Sequence, residues 1–296
     1  MGAKTVGGAV LSPPLERRPR DDELDVYGLT HPGKVRTENQ DHFLVGSLRG
    51  RLNIRVSSLP PTHMVPIEEE RVASFMMVAD GVGGGQKGEE ASRMALEGVA
   101  RYISEGARCY YRSDDSEGDF RRALEQAARR CHQEIRERGA EDPETAGMAT
   151  TLTLFIGVWP WSYVLQVGDS RYYTYAEGSL TQISRDQTVA QALVDQGLIS
   201  QELAPHSPLS NVLASSIGGP QTAPVVSKIR NSWENIHLLA SDGLTKHVSD
   251  ERIAERLGAM QSAKQVCNDL LQDALDGGGT DNVTIIVGRA VPSGEV

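Results

Sequence analysis

The sequence has little cysteine, no long apolar run and no excess of basic residues. Its 296 residues include three cysteines, Cys109, Cys131 and Cys267, which lie in helical patterns without the spacing of metal ligands. Cysteines that are few and odd in number argue against a disulfide framework and favour reduced thiols in a cytoplasm-like compartment. We therefore expect a cytoplasmic protein.

Charge and hydropathy limit the partners. No segment is long and apolar enough to span a bilayer, and residues 1–10 lack the pattern of a signal peptide. The formal net charge of −10 makes nucleic-acid backbones and anionic membranes poor partners. We expect neither a nucleic acid nor a membrane as a partner.

Composition also divides the chain. Residues 1–23 are rich in Gly, Pro and Arg without hydrophobic periodicity, which predicts a disordered tail. The remaining segment, 24–291, is long enough for one domain with a substantial core. Within it, residues 47–71 predict a hairpin with a long loop and no evident function.

The most informative stretch is 75–88, where a short apolar run ends in Asp80 and glycines follow. An apolar run bounded by glycines predicts a buried strand, and burying its terminal carboxylate is costly unless a cation lies against it. Asp169 and Asp242 also follow apolar runs, and Asp281 precedes one. Asp41, beside another apolar stretch, is a fifth candidate.

Those acids predict a metal site if the strand ends meet. The carboxylates cannot all stay ionised close together without cations, and oxygen-only ligands favour Mg²⁺ or Mn²⁺ over zinc. Paired hard cations suit displacement at phosphorus. For any one of these acids the commoner explanation is a capped turn, but the repeated setting favours a shared site.

The remaining pattern predicts the architecture. Apolar stripes predict helices over 90–105 and 119–138, and from residue 149 closely spaced strands with tight turns follow. Such strands pair antiparallel, and helices grouped in blocks disfavour a doubly wound parallel sheet. The long polar stretch 188–221, which begins with a short helix, is typical of a functional flap.

Seven short motifs together resemble a known family. They are RTENQD at 36–41, DGVGG at 80–84, GEEAS at 88–92, GMATT at 147–151, VGDSR at 167–171, SDGL at 241–244 and GTDN at 279–282. In this order, and over about residues 24–290, they resemble the metal-dependent protein phosphatases of the PP2C (PPM) family in its bacterial form. The resemblance implies an α+β fold, a four-layer αββα sandwich with two central antiparallel β-sheets flanked by helices.

The resemblance also implies two Mn²⁺ or Mg²⁺ ions, with a third in many bacterial members. Asp80 would bridge two metals, with the carbonyl of Gly81 on one of them. Asp242 and Asp281 would complete the coordination of the first metal, and Asp41 would contribute to the coordination of the second.

Further residues follow by the same resemblance. Asp169, together with Asp242, would hold the third metal, and Asn282 would orient Asp281. Arg36, whose guanidinium can grip phosphate with two hydrogen bonds, would bind the substrate. Taken alone, the segment around Arg36 would favour a surface strand with an Arg–Glu ion pair.

The implied activity is the hydrolysis of phosphoserine and phosphothreonine by direct attack of a metal-bound water. The implied partners are phosphorylated proteins and a serine/threonine kinase that shares these targets. We expect a monomer.

The sequence departs from the family pattern at three positions. Gln40 replaces a frequent Glu, Gly85 replaces a frequent His, and Val82 stands where animal members carry a His proposed as the general acid. No residue is therefore assigned to protonate the leaving group. His42 is adjacent to Asp41, but strand alternation points it to the opposite face, which favours a structural role.

Two alternatives to an active protein phosphatase remain. One is a non-catalytic member of the fold that acts as a regulatory module, but Asp80, Asp242 and Asp281 are all intact. The other is a metallo-phosphohydrolase acting on a small molecule, which shares the same metal chemistry. A wide, shallow site would favour protein substrates, and a closed pocket would favour small ones.

Overall fold

Two antiparallel β-sheets pack face to face, and helices cover their outer faces. The computed structural model describes residues 17–49, 51–58, 71–83, 86–110 and 116–292. The predicted four-layer αββα sandwich is confirmed.

Twelve strands form the two sheets in the described part of the chain. They are β1 (Leu24–His31), β2 (Asp41–Arg49), β3 (Arg51–Ser57), β4 (Arg71–Val82), β5 (Ala149–Thr150), β6 (Leu152–Val158), β7 (Trp161–Val167), β8 (Arg171–Ala176), β9 (Ser179–Gln182), β10 (Val225–Arg230), β11 (Ile236–Ala240) and β12 (Val283–Ala290). The larger sheet has the order β10-β7-β6-β4-β2-β3, with β5 paired to β4. The smaller sheet has the order β1-β12-β11-β8-β9.

Six α-helices accompany these strands over the same described residues. They are α1 (Gln86–Tyr110), α2 (Ser116–Glu141), α3 (Val189–Asp195), α4 (Asp242–Thr245), α5 (Asp250–Gly258) and α6 (Ala263–Asp276). The two long helices lie where the sequence predicts them and extend a few residues further at each end. No described helix is both long and apolar enough to cross a bilayer.

Three apolar clusters hold the layers together. The helices α1 and α2 pack on the larger sheet through residues such as Leu96 and Ile135, and α5 and α6 pack on the smaller sheet through residues such as Leu257 and Leu270. The inner faces meet in a third cluster: Phe43, Val45, Met76, Val78, Phe155, Val164, Tyr172, Leu239 and Ile286. Burial of these side chains fixes the two sheets against each other, so the loops at one end are held in register.

The smaller sheet begins and ends the domain. Strand β1 pairs antiparallel with β12 along its whole length, from Leu24 opposite Ala290 to His31 opposite Val283. Residues 1–16 of the predicted tail lie outside the described residues. The boundary at residue 24 stays a prediction, although Glu23 is already buried and accepts two hydrogen bonds from Arg17.

Candidate active site

Two acids of the larger sheet lie opposite each other. In the register of β2 and β4, Asp41 pairs with Asp80. The strand β4 continues beyond Asp80, because Gly81 and Val82 pair with β5. Asp80 therefore lies inside a strand with its backbone fixed on both sides, rather than at the strand end that the sequence predicts.

Two acids of the smaller sheet come from neighbouring loops. Asp242 follows β11 and begins α4, and Asp281 precedes β12. The backbone N–H of Ser241 donates to the carbonyl of Thr284 at 3.0 Å, which joins the two segments. Gly243 packs so closely on Asn282 that a Cβ atom would overlap with the Asn282 carbonyl oxygen. This close packing keeps Asp242 and Asp281 side by side.

The acids of both sheets meet at one end of the sandwich. Burial raises the pKa of Asp80 well above its usual range, and repulsion from Asp41, Asp242, Asp169 and Asp281 raises it further. The structure thus brings together the five acids predicted from the sequence, while their roles as metal ligands stay predictions.

Two of the other acids are similarly perturbed. Burial raises the pKa of Asp41 to about 7, against the lowering effect of hydrogen bonds from Thr284 and Ser241. Burial also raises the pKa of Asp169 to about 7, with a further contribution from Asp242. Anionic oxygens in such surroundings favour a bound cation.

Two basic side chains reach the cluster. Lys246 Nζ lies 2.5 Å from Asp242 Oδ2 and 3.2 Å from Asp281 Oδ2. Arg36 Nε lies 2.9 Å from Asp281 Oδ1. Although burial acts to raise it, the pKa of Asp281 is lowered by these two cations. Lys246 is not among the residues predicted from the sequence, although its spacing of four residues from Asp242 is a signal that could have indicated it.

The donor set fits a hard divalent cation. Asp41 Oδ1 and Asp242 Oδ1 are buried without a hydrogen-bond partner, and a buried anionic oxygen of this kind is costly unless a cation binds it. All candidate donors are oxygens, which Mg²⁺ and Mn²⁺ prefer. Among the described residues no three His, Cys, Asp or Glu side chains are placed so that they could hold a metal ion as they stand, and Lys246 and Arg36 engage two of these carboxylates instead.

A chain of hydroxyl groups supports Asp41. Thr284 Oγ1 donates to Asp41 Oδ2 at 2.8 Å and lies 2.8 Å from Thr30 Oγ1. Asn39 Nδ2 in turn donates to Thr30 Oγ1 at 2.9 Å. Because the Thr284 proton goes to the carboxylate, Thr30 must donate to Thr284. These residues fix Asp41 Oδ2 and leave Oδ1 without a hydrogen-bond partner.

Asn282 ties the loop between β1 and β2 to the smaller sheet. Its Nδ2 donates to the carbonyls of Pro32 and Glu38 at 3.1 and 2.8 Å, and its Oδ1 accepts from the backbone of Gln40 at 2.9 Å. The backbone N–H of Asn282, rather than its side chain, donates to Asp281 Oδ1 at 3.0 Å. Asn282 thus positions the loop that carries Arg36.

The departures from the family pattern occupy distinct places. Gln40 packs against Gly88 at the start of α1, where a Cβ atom on Gly88 would lie 2.7 Å from Gln40 Oε1. Val82 is exposed, and Gly85 lies outside the described residues. His42 is buried with Nδ1 2.8 Å from Ser58 Oγ, and burial lowers its pKa to about 4. The position of His42 agrees with the predicted structural role.

A groove opens beside the acids. It has a volume of about 350 Å³ and is lined by Asp169, Asp242 and Lys246 on one side and by Gln191 and Asn211 of the segment 188–221 on the other. That segment is ordered by its own hydrogen bonds, including the cap of α3 by Thr188. The predicted flap therefore forms one wall of the groove.

Comparison with known proteins agrees with this geometry. Residues 66–276 match the family described as Protein phosphatase 2C. The serine/threonine protein phosphatase PstP of Mycobacterium tuberculosis is 34% identical over 219 residues, which are 74% of this chain and 41% of PstP. The serine/threonine phosphatase stp of Listeria monocytogenes is 27% identical over 214 residues, 72% of this chain and 83% of stp.

Solved structures share the fold. A crystal structure of the M. tuberculosis phosphatase PstP has a TM-score of 0.71 at 29% identity and covers 91% of this chain and 99% of its own. The catalytic domain of PstP in complex with two manganese ions has a TM-score of 0.68 at 28% identity, with the same coverage of both chains. The chain spans 41% of the length of PstP in the sequence comparison. The family match covers most of the sequence, and the chain belongs to the protein phosphatase 2C family.

Proposed function

We propose that this chain is a Mn²⁺- or Mg²⁺-dependent phosphatase that hydrolyses phosphoserine and phosphothreonine in proteins. The observation that carries the proposal is the buried acid cluster, in which Asp80 is surrounded by four further carboxylates that raise its pKa. Such a cluster needs cations, and paired divalent ions suit hydrolysis at phosphorus. Family membership supports the same reaction.

Each acid has a proposed role. Asp80 would hold both ions, and the carbonyl of Gly81 would bind one of them. Asp242 and Asp281 would hold the first ion, and Asp41 would hold the second. Asp169 would hold a third ion with Asp242. When bound, the ions supply a water of lowered pKa and neutralise charge on the phosphoryl oxygens.

The chain supplies the remaining functions. The Arg36 side chain is more than half exposed at the edge of the cluster, so it can turn its guanidinium towards a phosphoryl group beside Asp281. The hydroxyl of Thr284 orients Asp41 and opposes the rise in its pKa, and Asn282 holds the loop bearing Arg36. These residues fix the substrate and the donors before the reaction begins.

The groove supports a protein substrate. It lies beside Asp169 and Asp242, and both polar and apolar side chains line it. The match to the protein phosphatase 2C family supports a phosphorylated segment of another protein as the substrate. The proposal includes a serine/threonine kinase acting on the same proteins, a monomeric state and a cytoplasmic location.

The test is phosphate release from a phosphothreonine peptide with Mn²⁺, with Mg²⁺ and with a chelator, for the parent chain and for Asp242→Asn. We expect metal-dependent release by the parent and a loss of at least about a hundredfold in the variant. Asp250→Asn, at the exposed start of α5, is the matched control. A folded parent chain that binds Mn²⁺ but releases no phosphate would refute the proposal in favour of a regulatory module.

A further inference from the structure

We propose that Lys246 is a built-in competitor of the metal: its ammonium group lies between Asp242 and Asp281, and a divalent cation must displace it to bind there. The inference rests on the proposed function, since it assigns these carboxylates to a metal site. It goes beyond that function because it identifies Lys246 as a residue that sets how tightly this chain binds the metal.

The geometry places the ammonium group where a cation belongs. Lys246 Nζ contacts Oδ2 of Asp242 at 2.5 Å and Oδ2 of Asp281 at 3.2 Å, so one group bridges acids from two loops. A metal ion that used the same two oxygens would approach each of them to about 2.0–2.2 Å. The ammonium group and a metal ion cannot both occupy that space, because each would have to contact the same two oxygens and the two cations would repel each other at that distance.

The local fold aims the lysine at this position. The one-turn helix α4 begins at Asp242, and Lys246 follows its last residue, so the two side chains have the spacing of helical neighbours. The backbone N–H of Lys246 donates to the Asp242 carbonyl at 2.8 Å, which fixes the root of the side chain. The lysine thus reaches the cluster without a rearrangement of the backbone.

The lysine also has a place to go. Lys246 lines the groove of about 350 Å³ together with Asp169, Asp186 and Gln201. The side chain can leave Asp242 and Asp281 by rotation into this groove. Metal binding therefore replaces the ammonium group of Lys246 with a divalent ion. Breaking the contacts of the lysine costs free energy, so the observed affinity for the metal is weaker.

The first experiment measures Mn²⁺ affinity by titration calorimetry on the full chain. Lys246→Met removes the charge and keeps most of the side-chain volume, and we expect it to bind Mn²⁺ about tenfold more tightly than the parent. Lys264→Met is the matched control, since Lys264 is an exposed lysine at the start of α6. We expect the control to bind like the parent.

The metal-free chains provide a second readout. Without a divalent ion, Lys246→Met leaves the acids less compensated, so its melting temperature should fall below that of the parent. With saturating Mn²⁺ the difference should vanish or reverse. Lys246→Gln, which can still donate hydrogen bonds to the acids, should lie between parent and Lys246→Met in both measurements.

A direct observation of the lysine completes the test. The ¹⁵Nζ resonance of Lys246, assigned by its loss in Lys246→Gln, is followed during titration with diamagnetic Mg²⁺. We expect it to move towards the position of the exposed lysines as the ion binds. A resonance that stays fixed, with the ion held by Asp242 Oδ1 instead, would overturn the inference, as would equal Mn²⁺ affinities of parent and Lys246→Met.

The two proposals fail differently. A parent chain that binds Mn²⁺ but releases no phosphate refutes the phosphatase activity and leaves the comparison of affinities intact. A parent chain that releases phosphate and has the same Mn²⁺ affinity as Lys246→Met refutes only the role of the lysine.

Discussion

His237 allows a prediction about acid stability that does not depend on the metal site. This histidine lies on β11 between the two sheets, and burial lowers its pKa to about 4. Its Nε2 lies 3.1 Å from Asn231 Oδ1 and its Nδ1 lies 2.8 Å from the hydroxyl of Tyr172. Since Asn231 Oδ1 can only accept, the neutral ring carries its proton on Nε2, and the Tyr172 hydroxyl donates to Nδ1.

The sign of the effect follows from proton binding in the two states. Below about pH 6.5 the unfolded chain protonates this histidine, whereas the folded chain does so only near pH 4. The contribution of His237 to the stability of the fold is therefore fully present above the pKa that this histidine has in the unfolded chain, and it is lost as the pH falls towards 4. For one group with these two pKa values, the loss at pH 5 is about 2 kcal/mol.

The assay is urea unfolding followed by tryptophan fluorescence, at about pH 7.5 and about pH 5 in the presence of a chelator. The variant His237→Gln cannot titrate, so we expect the parent chain to lose about 2 kcal/mol more between the two pH values than the variant does. His206→Gln, on the exposed flap, serves as the control. The comparison cancels the titration of the acid cluster, and parallel pH profiles for parent and His237→Gln would refute the reasoning.

Three further predictions concern the site. Thr284→Val removes the hydroxyl that donates to Asp41, and we expect Mn²⁺ affinity by calorimetry to fall on the order of tenfold to a hundredfold. Arg36→Met should lower kcat/KM for a phosphopeptide by about thirtyfold, because a charge-assisted fork to phosphate is lost, with the melting temperature unchanged. Gly243→Ala forces a Cβ atom onto the carbonyl oxygen of Asn282, so we expect a loss of about 3 kcal/mol and a fall in melting temperature of roughly 6–12 °C.

Each of these variants has a clear counter-result. Thr181→Val, on the exposed edge strand β9, is the control for the threonine, and equal Mn²⁺ affinities would show that the hydroxyl does not support Asp41. An Arg36→Met enzyme with parental kcat/KM would exclude a phosphate contact by the guanidinium. A Gly243→Ala chain with the melting temperature of the parent would show that the segments carrying Asp242 and Asp281 can move apart to accept a Cβ atom.

The sequence predicts the acid cluster well because its signal is local. Each of Asp80, Asp169, Asp242 and Asp281 stands at the margin of an apolar run, and a sandwich brings strand margins to a common end. The pairing of Asp41 with Asp80 then follows from register. The layer architecture is equally predictable, since strand spacing and helix periodicity are properties of short segments.

What the sequence does not predict depends on contacts between distant segments. Lys246 reaches Asp281, 35 residues later, only because α4 turns the chain immediately after Asp242. In the sequence Thr284 looks like any other strand residue, and its hydrogen bond to Asp41 follows only from the position of β12 beside Asp41. Residues 17–23 fall within the predicted disordered tail, yet Glu23 is buried and pairs with Arg17. In each case the partner is set by tertiary packing rather than by local pattern.

The pairing of β1 with β12 has a practical consequence for fusion partners. The strands enter and leave the domain together at Leu24 and Ala290, whereas the acids lie beyond the opposite ends, near His31 and Val283. Eight residues of strand separate these ends by about 23 Å. A tag, a reporter or a second domain joined directly next to Leu24 or Ala290 would therefore begin at the end of the sheet away from the acids.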